Sequence, residues 1–333
     1  MLLSKFRGVS SIYKGSYNGL NNYSKVKFTN KNIKVVIFLL VFFITVMSVI
    51  TIKIFGLFNS SNNKMILSKE EIQSYIDLAD KYSTNGYQLN WQEIAAINYV
   101  INDNNFLIKE DISEIIVNSL LKKDKDGNIV GLNNFKSAIK SFDLKSNGEK
   151  EATDKLNILK DNYIHTELAN DAYKKKFISD VESISYENYK KYGILPSITI
   201  SQAILESGWG ESTLSSEYNN LFGIKADSRW DGDSVDLETM ENYDDVIVGA
   251  FRAYDSLKES IRDHGKFLYE NERYAQNGLF NGKTYKEQAQ ALENAGYSTA
   301  KDEEGNLIYA DKLVKVIQEN NLMIFDTEVK RNN

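Results

Sequence analysis

An apolar segment near the N-terminus precedes a long body in which apolar residues recur at helical spacing. The run at 35–52, VVIFLLVFFITVMSVITI, contains no charged residue, and the apolar character resumes after Lys53 until residue 58. At about 1.5 Å of rise per residue, a helix over 35–58 is long enough to cross a hydrocarbon layer of about 30 Å. The pattern therefore predicts a transmembrane signal-anchor helix over residues 35–58.

The charges on the two sides of this segment predict its orientation. Residues 1–34 carry seven Lys or Arg and no Asp or Glu, so with a total net charge of −6 the remainder sums to −13. Basic flanks favour the cytoplasmic side of a membrane. We therefore expect a single-pass protein of the cell membrane, with residues 1–34 cytoplasmic and residues 59–333 extracellular. A cleaved signal peptide fits less well, because no small-residue cleavage site follows the apolar run.

Helical patterns dominate the chain beyond a polar spacer at 59–64. A Ser, Thr or Asn followed three residues later by Glu is typical of a helix start with a capping box. This pattern begins at Ser68, Asn90, Ser256 and Thr284. Further helical runs are predicted at about 110–121, 132–142, 153–192 and 310–320, with polar breaks at 122–128 and 145–153.

These patterns predict a mainly α fold (α+β) with a division near residue 165. We expect residues 59–165 to form an extracellular helical stalk domain, followed by a second domain over 166–326 and a polar tail over 327–333. One alternating pattern interrupts the helices of the second domain. The segments SVDLETMEN and VIVGAFRAY alternate at period two on either side of 243–245, which predicts a small β-hairpin lobe.

Composition restricts the chemistry that this chain can perform. It has no cysteine and only two histidines, so disulfides, thiolate nucleophiles and multi-histidine metal sites are not expected. We expect neither a metal nor a cofactor. The acidic body argues against nucleic acid as a partner, since phosphate binding needs a basic surface. Any catalysis must come mainly from carboxylates, hydroxyls and amides.

One carboxylate stands in an unusual place, within the stretch LPSITISQAILESGWGE at 195–211. The segment opens with the only proline of the chain, Pro196, and runs as a mostly apolar helix to Glu206, directly before Ser-Gly-Trp-Gly. A carboxyl that is partly desolvated beside Trp209 has a raised pKa and suits a general acid. A structural carboxylate at the helix end is the alternative.

The segment SQAILESGWGES, followed by NNLFGIK at 219–225, resembles the glucosaminidase family of peptidoglycan hydrolases. This family includes the flagellar and autolysin-type β-N-acetylglucosaminidases, and the resemblance extends over about residues 173–326. It implies a lysozyme-like helical domain with a small β-lobe, and it implies that Glu206 is the catalytic acid.

Glycosidic hydrolysis generally uses a second carboxyl, and the predicted hairpin offers two. Since strand side chains alternate, Glu238 and Glu241 should lie on opposite faces. Glu241 shares its face with Val235 and Leu237, and its context resembles the Thr-x-Glu strand of the family. We therefore predict Glu241 as the second catalytic residue. Counting backward from the end of the hairpin favours Glu238, which is kept as the alternative.

A glycan cleft also needs aromatic faces and hydrogen-bonding groups for sugars. The predicted substrate-binding residues are Trp209, Tyr218, Asn220, Phe222, Trp230 and Tyr297. Tyr297 lies in AGYST, which resembles the Ala-Gly-Tyr-Ala-Thr segment of the family. For each aromatic side chain a place in the core is the alternative, and Asn220 also fits a turn. His264 is expected to be a partly buried, hydrogen-bonded helix residue.

Together these features predict a membrane-anchored hydrolase that cleaves the β-1,4 bond after N-acetylglucosamine in peptidoglycan. Its expected partners are peptidoglycan glycan strands and the membrane. Two enzymatic alternatives remain, a muramidase and a lytic transglycosylase on the same fold. A non-hydrolytic wall-binding protein is the alternative from a different functional class.

Overall fold

The structure of the protein is a computed structural model. It describes residues 67–83, 86–163, 172–241 and 245–331, with side chains described for all of these except 161–163, 239–241 and 245–247. The predicted transmembrane helix and the basic N-terminus lie outside the described residues. Among the helices that are described, none combines the length and the apolar character that crossing a bilayer requires.

Helices make up most of the described residues, as the sequence predicts. In chain order they are α1 (Lys69–Tyr82), α2 (Trp91–Ile101), α3 (Glu110–Leu120), α4 (Phe135–Ile139), α5 (Gly148–Tyr163), α6 (Ala172–Tyr192), α7 (Pro196–Ser207), α8 (Thr213–Tyr218), α9 (Leu257–Glu270), α10 (Glu272–Gln276), α11 (Tyr285–Asn294), α12 (Tyr309–Glu319) and α13 (Met323–Arg331). The strands form two antiparallel hairpins, β1 (Leu121–Lys123) with β2 (Ile129–Leu132) and β3 (Ser234–Glu241) with β4 (Asp245–Arg252).

Helix α7 is the central element, and it contacts α6, α11, α12 and α13. Pro196 occupies its first turn, where the missing N–H does no harm, and Gly208 ends it with a left-handed φ of 57°. Nearly all of its side chains are buried. Each isoleucine buried here, such as Ile198 and Ile200, contributes roughly 1.5 to 3 kcal/mol relative to exposure. Because α7 is packed on nearly all sides, it holds the side chains at its C-terminal end in fixed positions.

The predicted polar tail at 327–333 is wrong, because α13 extends through most of it. Asp326 is fully buried, and it accepts hydrogen bonds from the Ser197 backbone N–H (2.9 Å) and hydroxyl (2.6 Å). Thr327 and Val329 are also buried. The charged residues of this segment give it a polar average, although it forms a short helix. The inner side of this helix packs against the first turn of α7. The end of the described chain is therefore part of the core.

The N-terminal helices belong to the same compact unit as the rest of the described body, over residues 65–333. The Trp91 indole N–H donates to Asn321 Oδ1 at 2.5 Å. Arg331 makes two hydrogen bonds to the Glu93 carboxylate, at 2.5 and 2.6 Å. The predicted boundary near residue 165 falls within 164–171, outside the described residues, and the stalk role stays a prediction.

Local differences from the predicted elements have local causes. The polar break at 122–128 is the turn of the β1–β2 hairpin, in which the Asp124 carboxylate accepts backbone N–H groups from Asp126 and Asn128. The run predicted at 132–142 is helical only in α4. The run predicted over 153–192 corresponds to two helices, α5 and α6, and residues 164–171 between them lie outside the described residues.

Two of the four predicted capping boxes are confirmed, those of Ser68 and Thr284. Asn90 does cap α2, but the Glu93 carboxylate turns away from it towards α13. Ser256 accepts from the Glu259 N–H, while the Glu259 carboxylate accepts from the Asp255 N–H instead of closing a box.

The buried carboxyl of Asp326 predicts how stability depends on pH. Burial raises its pKa from 3.8 to about 6 in the folded protein, which corresponds to about 3 kcal/mol. The unfolded state then loses this proton at lower pH than the folded state, so the group lowers the free energy of unfolding as pH rises through this window. In Asp326→Asn this loss should disappear. Urea unfolding of the full chain in detergent at pH 4 and pH 7 measures the difference.

The exposed residue Asp311 on α12 supplies the control. Asp311→Asn should leave the pH dependence of wild type unchanged. The role of Asp326 is refuted if the difference in unfolding free energy between Asp326→Asn and wild type is the same at both pH values.

Candidate active site

Glu206 projects from the last turn of α7, directly before a sharp reversal of the chain. Three consecutive residues adopt left-handed backbone conformations, with φ of 57° at Gly208, 65° at Trp209 and 83° at Gly210. A Cβ on Gly210 would lie 2.9 Å from the Phe177 ring, so a side chain would not fit there. The reversal ends the helix abruptly and leaves the Glu206 side chain exposed.

Trp209 adopts this conformation without being glycine, so its surroundings must hold it there. The Tyr173 hydroxyl donates to the Trp209 carbonyl at 3.0 Å. The Phe177 ring meets the indole edge-on at 5.9 Å between centroids, and Lys174 Nζ lies 5.0 Å from the indole centroid. Trp209 is half-buried against α6, and part of its side chain remains exposed.

A chain of two hydrogen bonds orients the Glu206 carboxyl. The Tyr309 hydroxyl donates to Glu206 Oε1 at 2.7 Å, and Gln202 Nε2 donates to the Tyr309 oxygen at 3.0 Å. Gln202 lies four residues before Glu206 on the same face of α7. Because Gln202 occupies the phenol oxygen, the phenol proton points to Oε1. A proton carried by the carboxyl is therefore left on the other oxygen, Oε2.

The environment of Glu206 favours its protonated form. Although the side chain is exposed, protein atoms surround the carboxyl closely enough that desolvation raises its pKa above the ordinary value of 4.5. The hydrogen bond from Tyr309 and the charge of Lys312 act in the opposite direction and limit the rise in pKa. A carboxyl that can be reached by a ligand and holds its proton more firmly than in water suits proton donation.

A continuous aromatic stack lies behind this carboxyl. Tyr309 stacks on Tyr297 with 5.2 Å between centroids, and Tyr297 meets the His264 ring edge-on at 6.3 Å. His264 in turn stacks on Phe222 at 3.8 Å, with the planes 8° apart. Burial and the Glu206 charge raise the pKa of Tyr297, which keeps its phenol neutral. Tyr297 is half-buried, so part of it remains available to a ligand.

His264 differs from the expectation of a partly buried, hydrogen-bonded residue. It is fully buried, and neither ring nitrogen has a hydrogen-bond partner among the residues that the structure describes. Burial lowers its pKa to about 3, so the ring is neutral near pH 7. It acts as a flat stacking surface between two aromatic side chains.

The second predicted carboxylate lies on the β3–β4 hairpin, whose predicted position is confirmed. Glu238 pairs with Val248, and both are exposed, with Val248 at 67%. Val235 and Leu237 are partly buried, so the opposite face of β3 is the less exposed one. Glu241 belongs to that face by alternation. Its side chain lies outside the described residues, and the choice between Glu241 and Glu238 stays a prediction.

A polar cluster that the sequence did not indicate joins the base of the hairpin to α9. The Asp263 carboxylate accepts from Arg252 Nη1 and from the Tyr254 hydroxyl, each at 2.7 Å. The Arg252 guanidinium lies 4.5 Å from the centroid of the half-buried Trp230, whose ring meets Tyr254 edge-on at 5.6 Å. Trp230 is therefore fixed in orientation from two sides.

Two of the predicted substrate-binding residues are used mainly by the fold. Asn220 is buried, and its amide donates to the carbonyls of Ile224 and Arg252 while accepting the backbone N–H groups of Phe222 and Ile224. Its amide is fully hydrogen-bonded within the protein, by the turn and by the end of β4. Its contact with substrate stays a prediction. Phe222 is buried against His264, and Tyr218 is half-buried.

The described side chains connected to Glu206 are therefore Tyr309 and, through it, Gln202 and Tyr297. The sequence analysis missed Tyr309 and Gln202. Gln202 stands four residues before Glu206, which is a usable helical signal, whereas Tyr309 is more than 100 residues away and only folding reveals it. Within the described ranges, no group of three or more His, Asp or Glu side chains is placed to hold a metal ion.

Comparison with known proteins identifies relatives of the second half of the chain. The glucosaminidase family, described as mannosyl-glycoprotein endo-beta-N-acetylglucosaminidase, matches residues 182–322. Exo-glucosaminidase LytG of Bacillus subtilis is 36% identical over 158 residues, which are 45% of this chain and 52% of LytG. Peptidoglycan hydrolase FlgJ of Vibrio parahaemolyticus is 33% identical over 150 residues, or 43% of this chain and 46% of FlgJ. The chain thus spans about half the length of these curated relatives.

Among solved structures, the catalytic domain of the autolysin Auto from Listeria monocytogenes is 32% identical to this chain. The match covers 46% of this chain and 88% of that domain, with a TM-score of 0.39.

The hydrogen bond from Tyr309 predicts a measurable effect on Glu206. Because the phenol donates to the ionised carboxylate, its removal in Tyr309→Phe should raise the pKa of Glu206 further. Titration of the Glu206 carboxyl by ¹³C NMR, with the signal assigned through Glu206→Gln, measures this pKa. Tyr285→Phe is the matched control, since it removes a phenol that donates to Asp80 at 2.6 Å and does not contact Glu206. An unchanged or lower pKa of Glu206 in Tyr309→Phe would contradict the assignment.

Proposed function

We propose that the protein is a peptidoglycan hydrolase, because residues 182–322 match the glucosaminidase family. In this proposal it cleaves the β-1,4 bond after N-acetylglucosamine, with Glu206 as general acid. The observation that carries the proposal is the Glu206 carboxyl, which is open to a ligand, oriented by Tyr309 and raised in pKa by desolvation.

The acid step follows from the orientation of that carboxyl. With Oε1 accepting from Tyr309, the proton on Oε2 is transferred to the oxygen that links the two sugars. The bond from this oxygen to the anomeric carbon breaks, and positive charge develops on the sugar ring. Glu206 is left as a carboxylate, and the hydrogen bond from Tyr309 and the nearby Lys312 charge stabilise the ion that forms.

Water completes the reaction at the anomeric carbon. Its oxygen forms the new bond, and its proton passes to a base, for which we propose the Glu241 carboxylate, with Glu238 as the alternative. The acetamide oxygen of the substrate is a second candidate for attack on the same carbon, and water would then open the cyclic intermediate. Both routes end in one cleaved bond and one consumed water molecule.

The aromatic side chains around Glu206 suit a sugar substrate. The exposed parts of Trp209 and Tyr297 offer apolar faces to sugar rings, and their positions are set by packing on α6 and on the His264 stack. Trp230, held by Arg252 and Tyr254, is proposed to contact the glycan at the base of the hairpin. Tyr218 is kept as a weaker candidate on the same side.

We further propose that the segment 35–58 anchors the enzyme in the cell membrane with its catalytic domain outside. The support is the uncharged run at 35–52 and the exclusively basic charge of residues 1–34. Such an anchor would restrict hydrolysis to wall glycan near the membrane.

The reaction is tested with the full chain in non-ionic detergent, incubated with purified peptidoglycan. Glu206→Gln should reduce the rate by roughly 10² to 10⁴, because it removes general acid catalysis. Glu211→Gln removes an equal charge from an exposed residue five positions on and should retain activity. New reducing ends are identified by mass spectrometry.

The identity of these ends separates the alternatives. N-Acetylglucosamine ends are expected. N-Acetylmuramic acid ends would indicate a muramidase, and anhydro sugars would indicate a lytic transglycosylase. If wild type releases no ends at all, the hydrolase proposal fails and a wall-binding protein replaces it.

The second carboxylate is tested by comparing Glu241→Gln with Glu238→Gln. We expect the larger loss of kcat in Glu241→Gln, since its strand position shares the less exposed face with Val235 and Leu237. A larger loss in Glu238→Gln would reverse the assignment. Full activity in both variants would instead favour attack by the acetamide of the substrate.

A further inference from the structure

A cavity lies at the opposite end of α7 from Glu206. It has a volume of about 710 Å³, and Gly193 and Leu195, which precede α7, form part of its wall. Eleven residues of helical rise separate Leu195 from Glu206, or roughly 16 Å along the axis. This cavity is therefore distinct from the candidate active site, although the same helix connects the two.

Three lysines dominate this cavity, which we call the lysine pocket. Its side-chain lining comprises Lys190, Lys283, Lys330, Tyr87, Tyr189 and Phe280. Among the described residues that line the pocket, none carries a carboxylate. Lys190 and Lys283 are exposed, whereas Lys330 is half-buried and its Nζ donates to the Lys283 carbonyl at 2.7 Å.

The charges of these lysines are not neutralised by ion pairs within the described residues. Two carboxylates lie near Lys330: burial lowers the pKa of this lysine, and the charges of Asp326 and Glu287 act to raise it. Its Nζ is turned to the Lys283 carbonyl. Lys190 and Lys283 are therefore the lysines whose charge is exposed at the pocket.

This positive pocket contrasts with the acidic body of the protein. Residues 35–333 sum to −13, from the total of −6 and the seven basic residues before them. Gathering like charges around one cavity is unfavourable unless an anion binds between them. The lining thus indicates an anionic ligand.

The residue types are compatible with phosphate. Lysine is a compact point charge that binds phosphate groups, and the described lining contains no arginine, whose planar fork pairs with carboxylate or phosphate. The rings of Tyr87, Tyr189 and Phe280 add apolar surface between the charges. Such surface suits the carbon skeleton that joins successive phosphates in a sugar or polyol polymer.

We propose that the lysine pocket binds phosphate groups of a phosphodiester-linked sugar or polyol polymer of the cell envelope. Binding at this end of α7 holds the protein on its wall while Glu206, at the other end, remains free. The proposal goes beyond the proposed hydrolysis and does not depend on it, because binding can be measured without cleavage.

The test is calorimetric titration of the full chain, in non-ionic detergent, with synthetic oligo(glycerol phosphate). Wild type should bind, and the affinity should fall with added salt. Lys190→Gln/Lys283→Gln should weaken binding by roughly tenfold or more, since two charge-assisted contacts are lost. Lys125→Gln, an exposed lysine at the turn of the β1–β2 hairpin, should bind as wild type does.

Both altered lysines of the test variant are exposed, so folding should be preserved, and equal thermal unfolding of variant and wild type checks this. Glu206→Gln should bind as tightly as wild type, which separates this test from the test of hydrolysis. The proposal is overturned if wild type does not bind, or if Lys125→Gln loses as much affinity as the double variant. It is also overturned if poly-glutamate of equal charge binds as tightly as the phosphate polymer.

Discussion

The hydrogen bond from Tyr309 to Glu206 is the contact on which the candidate site depends. It joins α12 to the end of α7, selects which carboxyl oxygen is left to carry a proton, and is itself oriented by Gln202. The same phenol continues into the aromatic stack through Tyr297 to His264. Because the stack is close-packed, the carboxyl cannot rotate freely although its surface is open. Tyr309 and Gln202 thus fix the orientation of the Glu206 carboxyl, while its exposed side remains accessible to a ligand.

The burial of α7 makes this arrangement possible and also constrains it. A helix that is buried along nearly its whole length needs partners for its polar groups, and Asp326 of α13 supplies them at Ser197. The opposite end of α13 is tied to α2 by Arg331 and Glu93. The N-terminal helices are therefore connected through α13 to the helix that carries the candidate acid.

Electrostatics differ sharply between the two ends of α7. At its C-terminal end, desolvation favours a neutral carboxyl, and one phenol and one lysine charge moderate the effect. At its N-terminal end, lysines surround an open cavity, and the nearest carboxylates are bonded to backbone and hydroxyl groups. Proton donation and anion binding need opposite environments. A rigid helix of twelve residues keeps them apart.

The mainly helical character, the β3–β4 hairpin and the place of Glu206 before Gly208 could be predicted from the sequence, because they depend on local periodicity and on glycine and proline. Helix α13 could not, because charged residues on its outer face mask the apolar pattern of its buried face. The bond from Asn220 to Arg252, the burial of His264 without a hydrogen bond to any described residue, and the bond from Tyr309 to Glu206 became visible only in the folded protein. They depend on residues distant in the chain, which no local pattern encodes.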